Sequence, residues 1–472
     1  MNREKTISVL EYGTGFFLLG LFLLFQYKRA FTYEERFLFV ELILAYYWVS
    51  GLFMLAKARF GLSILEPLSI ITGIYMGVFI LKPLMDLRAD RMYEHGIAVI
   101  EGGPKATLLF VLGFTVMFFA YFLERKTWTI NGKPLLGLVK GRGSRAILQN
   151  RGFLIGAWSV VYVLCVIGMM SQGLSLRYIF SFGFEGERVV DDSNTALLFL
   201  SNFGITLVTF WTLILDRVRS KWVKIITTAL CVVYILMRNA RWLMLVFILA
   251  PLTLYYLKKR KQPRVRRVAL VFLAALVVFS WMQVNRNVLH SGGAMQGWGR
   301  EGITPEVLLK PIDSDFSTYK SFYAMMLRYP GEHDYLYGTT FAYIFVLFIP
   351  KSIWAGKPDN PIRDMIEIAL NNKARRSGTA VANIGEFYAN FGVVGILLGM
   401  FVLGRLTAGL KDCMVYDGVN DDGLILYSIM FPLLFQWIAR GNFSGNVYLT
   451  VFALLPFIIA AVYENLHRRK TV

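Results

Sequence analysis

Long apolar runs separated by polar turns form the dominant pattern along this chain. Each run is close to the length of about 20 residues that a helix needs to cross a bilayer, and the alternation typical of strands is absent. Because lipid offers no hydrogen-bond partners to backbone amides, such runs must be helical. The sequence therefore predicts an all-α polytopic integral membrane protein, a single domain over residues 1–472, with about twelve transmembrane helices. The predicted spans lie near residues 9–27, 37–56, 62–84, 105–123, 152–171, 196–215, 222–237, 242–257, 268–284, 391–410, 424–439 and 446–463.

One long polar segment, residues 284–390, interrupts this pattern and holds most of the polar chemistry. Within it, Thr304-Pro305-Glu306 predicts a helix start, with a capping threonine followed by proline at the first helical position. Residues 314–328 repeat apolar side chains at helical spacing, so two helices are expected in this region. Thr340 to Pro350 is apolar but too short to cross a bilayer, which predicts a re-entrant or interfacial position.

A further helix is predicted to begin at Asn360-Pro361, where apolar residues recur on one face. Such an amphipathic helix should lie flat on the outer surface and cover the mouth of the bundle as a lid. Its apolar face holds Ile362, Met365, Ile366 and Ala369, and its basic end holds Lys373, Arg375 and Arg376.

Composition and charge narrow the class of protein to which this chain can belong. The mean hydropathy of +0.52 and the hydrophobic fraction of 56% exclude a soluble globular chain. The net charge of +19 comes from basic clusters in short loops between spans, which is a topology signal rather than a nucleic-acid surface. Those loops and both termini are therefore expected in the cytoplasm, and the long segment outside.

The outer turn RNARW carries Arg238 and Arg241 at the mouths of two adjacent spans, against the topology signal. Paired guanidinium groups suit a ligand with phosphate groups, because they bind phosphate oxygens in bidentate fashion and stay charged when partly desolvated. The alternative for Arg238 is that it reaches towards lipid headgroups.

Neither a metal nor a disulfide framework is expected. The chain has 3 cysteines, of which Cys165 and Cys231 lie inside predicted spans. Asp313-Ser-Asp315 has the spacing of a metal-binding pair in nucleotide-sugar glycosyltransferases, but the sequence offers no third ligand beside it.

Four strings together resemble the O-antigen polymerase family, the polymerases of lipid-linked oligosaccharide repeat units. The resemblance covers the second half of the chain well and the first half by topology only. Many members have Arg after the IP pair, where this chain has Lys351, which keeps the charge and lacks the bidentate fork. The strings are RNARW, QVNRN with Arg286, IPKSIWAGKP from Ile349 to Pro358, and SGTAVANIGEFYANFGVVG from Ser377 to Gly395.

The resemblance implies an activity. Such polymerases move a growing glycan from undecaprenyl diphosphate to the non-reducing end of another lipid-linked repeat unit, at the outer face of the bacterial cytoplasmic membrane. It implies no cofactor, with membrane lipid and a chain-length regulator as expected partners; nucleic acid is not expected, given the charge pattern described above. Guanidinium groups that meet the departing diphosphate in a low-dielectric site would lower the barrier.

Arg241 and Arg286, each at the outer end of a span, are the first candidates for that role, and Arg375 with Arg376 come next. Glu386 is the candidate general base, since it adjoins an apolar surface; the alternative is that it interacts with a helix dipole. His290 and His333 are rival bases. Further predicted substrate contacts are Arg238, Lys351, Trp354, Lys357 and Tyr388.

Two other functions fit the same pattern. An O-antigen ligase would share the architecture and deliver the glycan to a lipid A core, although the histidine motif usual in ligases has no counterpart here. A transporter of lipid-linked glycans would place ionisable or helix-breaking residues near the bilayer midplane. Glu41, Glu66, Lys82 and Arg405 instead lie nearer to the ends of predicted spans.

Overall fold

The computed structural model describes most of the chain, and among the described residues the fold is helical with two short hairpins. The described residues are 3–25, 31–123, 129–130, 133–134, 146–170, 203–238, 240–284, 302, 304–347, 349, 353–370, 380–415 and 421–468. Within these ranges, nine helices are long and apolar enough to cross a membrane. The prediction of an all-α membrane protein is therefore confirmed.

The N-terminal half contains seven helices and two hairpins in chain order. A π-helical turn, Gly77–Leu81, joins α3 to α4, so that the two form one apolar segment from Pro67 to Arg88. The elements are α1 (Arg3–Phe25), α2 (Tyr33–Phe60), α3 (Pro67–Met76), α4 (Lys82–Arg88), β1 (Tyr93–Glu94), β2 (Ile97–Ala98), α5 (Gly103–Phe122), β3 (Thr129–Ile130), β4 (Lys133–Pro134), α6 (Ala146–Gln149) and α7 (Arg151–Met170).

The C-terminal half continues with twelve helices, of which the central five belong to the long polar segment. They are α8 (Phe203–Arg217), α9 (Lys221–Arg238), α10 (Arg241–Lys258), α11 (Val265–Val284), α12 (Pro305–Phe316), α13 (Thr318–Arg328), α14 (Thr339–Ala342), α15 (Ile344–Leu347), α16 (Pro361–Leu370), α17 (Asn383–Val415), α18 (Asp421–Ala439) and α19 (Phe443–Arg468).

Three predicted spans are helical in their described parts but fall outside those nine. In α1, the apolar stretch among the described side chains is Glu11–Leu24. Helix α8 has 15 described residues, because the first part of the predicted span 196–215 lies outside the described residues. Helix α9 carries three basic residues, Lys221, Lys224 and Arg238, which lower its hydropathy. The count of twelve spans stays a prediction.

The buried side chains form two large clusters. One joins α2, α3, α5, α13 and α17, and the other joins α7 to α10 with α18 and α19. Helices α5 and α17 approach closely at Gly404, where a Cβ atom would lie 2.4 Å from the carbonyl oxygen of Met117. A small residue at such a position lets two helix backbones touch, as in other membrane bundles.

The predicted helices of the polar segment are present. Thr304 caps α12 by accepting the backbone N–H of Val307 at 3.3 Å, with Pro305 at the first helical position. A break at Ser317 separates α12 from α13. Helix α16 begins at Pro361 as expected, but Met365 and Ala369 on its apolar face are buried, and α16 packs against α13. Protein therefore covers the apolar face of this helix, and its position as a lid over the mouth of the bundle stays a prediction.

Helix α17 starts at Asn383, earlier than the predicted span at 391, and is broken at Phe391 and Gly392. Gly392 has φ +61°, which a side chain rarely adopts. The carbonyl oxygens freed by the break accept N–H groups from the preceding loop: Ala389 from Leu336 at 2.9 Å, and Asn390 from Tyr337 at 3.1 Å. The break therefore fixes the polar segment to the end of a span.

Candidate functional site

A cavity of about 990 Å³ lies between α3, α10, α11, α12 and α18. Most of its wall is aliphatic or aromatic, as in a site for a hydrocarbon chain. The charged side chains in its wall are Arg238, Arg241, Asp315 and Arg440 at one end and Arg267 at the other. Apolar lining residues include Ile70, Ile74, Leu245, Leu249, Leu252, Phe272, Leu276, Phe279, Phe431 and Phe435.

The polar end of the cavity is built from elements that are distant in sequence. Arg241 is the first residue of α10, and its Nη2 atom lies 3.2 Å from Oδ1 of Asp315 in the last turn of α12. Arg440 follows α18 and pairs with the same Oδ1 atom. Arg238, at the end of α9, lines the same end and donates to the hydroxyl of Tyr234 at 3.1 Å. Two guanidinium groups thus pair with one carboxylate, and a third lines the same end of the cavity.

Partial burial strengthens this electrostatic arrangement. The side chains of Arg241 and Asp315 are exposed by only 13% and 15%. Charges in such a position interact more strongly than at an open surface, because less water screens them. Among the described residues that line the polar end, three side chains are positively charged and one is negatively charged, which leaves an excess of positive charge. That excess suits a ligand with a compact group of negative charges.

The two carboxylates of Asp313-Ser-Asp315 take opposite directions, as residues two apart on a helix do. Asp313 turns away from the arginines and lies 2.7 Å from Nζ of Lys82, which is buried and also pairs with Asp86. The pair predicted to resemble a metal motif is therefore held by cations from separate helices. Among the described residues, no group of three or more potential metal-binding His, Cys, Asp or Glu side chains occurs.

The apolar body of the cavity runs along the spans. Its lining on α10 extends from Arg241 to Tyr256, about 22 Å at the α-helical rise. On α11 the lining includes Val268 and Phe272, and Phe272 is 57% exposed. At least one wall residue of the cavity is therefore not covered by other side chains. A ligand with a polar head and a long apolar tail would match both parts.

Glu386 occupies a different position from the one expected of a general base. It is 1% exposed, and its two carboxylate oxygens accept the backbone N–H of Phe443 at 2.9 and 3.2 Å. Phe443 is the first residue of α19, so Glu386 satisfies an otherwise unpaired amide at that helix start. Glu386 is not among the described residues that line the cavity. Its catalytic role stays a prediction.

Three predicted substrate contacts, Tyr388, Lys357 and Trp354, are not among the described cavity-lining residues, and the first two form hydrogen bonds within the fold. The Tyr388 hydroxyl accepts from Nζ of Lys105 at 2.9 Å and donates to the carbonyl of Tyr329 at 3.1 Å. Lys357 is buried and donates to the carbonyl of Leu347 at 3.2 Å. Trp354 is 41% exposed.

Of the predicted site residues, Arg238 and Arg241 meet at one cavity. The described residues do not include Arg286, Lys351, Arg375 or Arg376, nor the rival base His290. The predicted convergence of Arg241 with Arg286 therefore stays a prediction.

Arg440 and Asp315 were missing from the predicted site. The sequence did indicate a role for Arg440, because this basic residue lies in a turn predicted to face outward. For Asp315, the only indication in the sequence was its spacing from Asp313, which resembles that of a metal-binding pair. No family model, curated protein or solved structure matches this chain. The site therefore has to be interpreted from its own residues.

Proposed function

We propose that this protein is a membrane glycosyltransferase that polymerises lipid-linked oligosaccharides. It would transfer a growing glycan from undecaprenyl diphosphate to the non-reducing end of another lipid-linked repeat unit. The observation that carries the proposal is the cavity itself, with Arg238, Arg241 and Arg440 at one end and an apolar body along the spans. A polyprenyl diphosphate likewise has a charged head and a long hydrocarbon tail.

The arginines supply the electrostatic part of the reaction. When the glycosidic bond to the diphosphate breaks, negative charge grows on the leaving phosphate oxygens. Arg241, which is partly buried at the polar end of the cavity, meets that charge in a site with little water. Preorganised donors of this kind lower a barrier by several kcal/mol, on the order of 3 for a single donor. Glu386, which lies outside the described lining of the cavity, stays the proposed acceptor of the proton released by the acceptor hydroxyl, as the sequence suggested.

The apolar body would hold the polyprenyl chain. Burial of each methylene group there contributes about 0.8 kcal/mol relative to water, although a chain that arrives from lipid gains less. The body therefore acts mainly by alignment: a tail held between α10 and α11 fixes the diphosphate beside Arg241. Holding reactants in a fixed geometry is itself a large part of catalysis.

The proposed setting is the bacterial cytoplasmic membrane, with both termini in the cytoplasm and the arginine end outside. A chain-length regulator is a proposed partner. Delivery of the glycan to a lipid A core, as in an O-antigen ligase, remains the alternative within the same reaction class.

A transporter of lipid-linked glycans is the second candidate, because one observation favours it. The cavity lining extends from Arg241 at one end of α10 to Arg267 near the other side of the bundle. A groove of that length could carry a headgroup along the spans. The break of α17 at Gly392 is also a feature that transporters share.

Purified protein in detergent, supplied with lipid-linked repeat unit alone, tests the proposal. We expect a ladder of longer glycans on a gel, without any nucleotide sugar or lipid A core. Absence of the ladder, together with movement of the substrate across the membrane of reconstituted vesicles, would replace the polymerase with the transporter. A product that forms only after lipid A core is added would identify a ligase.

A further inference from the structure

Asp315 is an unexpected residue in a cavity proposed to bind an anion. Its carboxylate lines the polar end, where it repels phosphate. Both Arg241 and Arg440 pair with its Oδ1 atom. This is the arrangement that two guanidinium groups adopt around one oxygen of a phosphate.

We propose that Asp315 is an internal counter-ion that occupies the anion site of the empty protein and sets its affinity for anionic lipid headgroups. The inference rests on the proposed function and adds a determinant of binding and release. An incoming diphosphate must displace the carboxylate or share the arginines with it. Asp315 therefore weakens binding of every phosphate-bearing lipid by a similar amount.

In a membrane, weaker binding of phosphate-bearing lipids would be an advantage. Without Asp315, an apolar groove with Arg238, Arg241 and Arg440 at one end would bind any anionic phospholipid that entered it, since burial strengthens each charge interaction. It would also retain the polyprenyl diphosphate left after transfer, because that product carries more negative charge than the glycan-linked substrate. A competing carboxylate lowers both affinities, so that the site can empty after each reaction.

Asp315 and Asp313 lie in the same helix but have different surroundings. Asp315 lies in the last turn of α12, two residues before the break at Ser317. Asp313, one helical face away, is anchored to Lys82 at 2.7 Å and lies 3.7 Å from Nη1 of Arg91. The two aspartates thus have separate partners, and Asp313 provides a matched control.

The test is the binding of undecaprenyl diphosphate to purified protein, measured together with the thermal unfolding midpoint. We expect Asp315→Asn to bind this lipid more tightly than the wild type, by roughly tenfold or more. The empty variant should unfold at a lower temperature, because two partly buried cations then face each other. Asp313→Asn should bind as the wild type does.

If Asp315 only supported the structure or positioned the arginines, its removal would weaken the binding of undecaprenyl diphosphate. Tighter binding therefore indicates a competing carboxylate, and weaker binding a structural one. Equal or weaker binding by Asp315→Asn, with the wild type still binding, would overturn the inference and leave the proposed function standing. Failure of both proteins to bind would overturn both.

A second pair of variants covers the case in which Asp315→Asn does not fold. Arg440→Gln with Asp315→Asn keeps the net charge of the polar end equal to that of the wild type. We expect this double variant to bind undecaprenyl diphosphate more tightly than Arg440→Gln alone. If both variants bind with the same affinity, Asp315 does not compete for the site.

Discussion

At the scale of single residues, the polar end of the cavity shows how this chain keeps charges inside a hydrophobic bundle. Arg241 and Arg440 can carry their charges there because Asp315 forms an ion pair with both. Lys82 is acceptable because Asp86 and Asp313 pair with it. An unpaired charge at such depth would cost several kcal/mol. Ion pairs therefore connect helices that the apolar contacts alone would leave free to shift.

Glu386 offers a test at this scale, because its structural and proposed catalytic roles make different demands. Glu386→Gln keeps an oxygen that can accept the N–H of Phe443, so we expect the unfolding midpoint to stay close to that of the wild type. The side chain would no longer take a proton, and glycan polymerisation should fall by about 100-fold or more. Full activity of this variant in the ladder assay would remove Glu386 from the mechanism.

At the scale of elements, the cavity exists because α11 packs mainly on α12 and touches α10 little. The space that remains between α10 and α11 is lined by their apolar side chains, with α3 on the opposite wall. Gly73 of α3 belongs to that wall, and a Cβ atom at this position would meet nothing within 4 Å. The glycine leaves room that a larger side chain could fill.

Gly73→Leu should therefore obstruct the apolar body without disturbing the fold. We expect a loss of affinity for undecaprenyl diphosphate of roughly tenfold, because each methylene kept out of the cavity forfeits up to about 0.8 kcal/mol. Inorganic diphosphate, which has no tail, should bind unchanged. The matched control is Gly156→Leu on α7, where a Cβ atom also meets nothing within 4 Å. A Gly73→Leu protein that binds the lipid normally would show that the tail lies elsewhere.

At the scale of the whole molecule, the sequence predicted local features well. The apolar runs predicted the helices, because a helix that crosses a bilayer must be both long and hydrophobic. Thr304 and Pro305 marked the start of α12, because capping depends on neighbouring residues only. The apolar face of α16 was predicted correctly, but α13 as its neighbour was not foreseen, because helical periodicity shows that a face is apolar and not what covers it.

The site was predicted only in part, for a related reason. Arg238 and Arg241 are three positions apart, and their joint placement follows from a tight turn. Arg440 and Asp315 are 125 positions apart. Their pairing depends on how α12 and α18 pack, which hydropathy does not encode. The hydrogen bonds of Glu386 to Phe443 likewise link residues from different helices.

The most direct test of the central claim is the affinity of the purified protein for undecaprenyl diphosphate when Arg241 is replaced. We predict that Arg241→Gln weakens binding by about 10- to 100-fold, the usual cost of losing a hydrogen bond to a charged group. Arg219→Gln, at an exposed arginine between α8 and α9, is the control and should bind as the wild type does. Undiminished binding by Arg241→Gln would contradict a diphosphate site at the arginine end of this cavity.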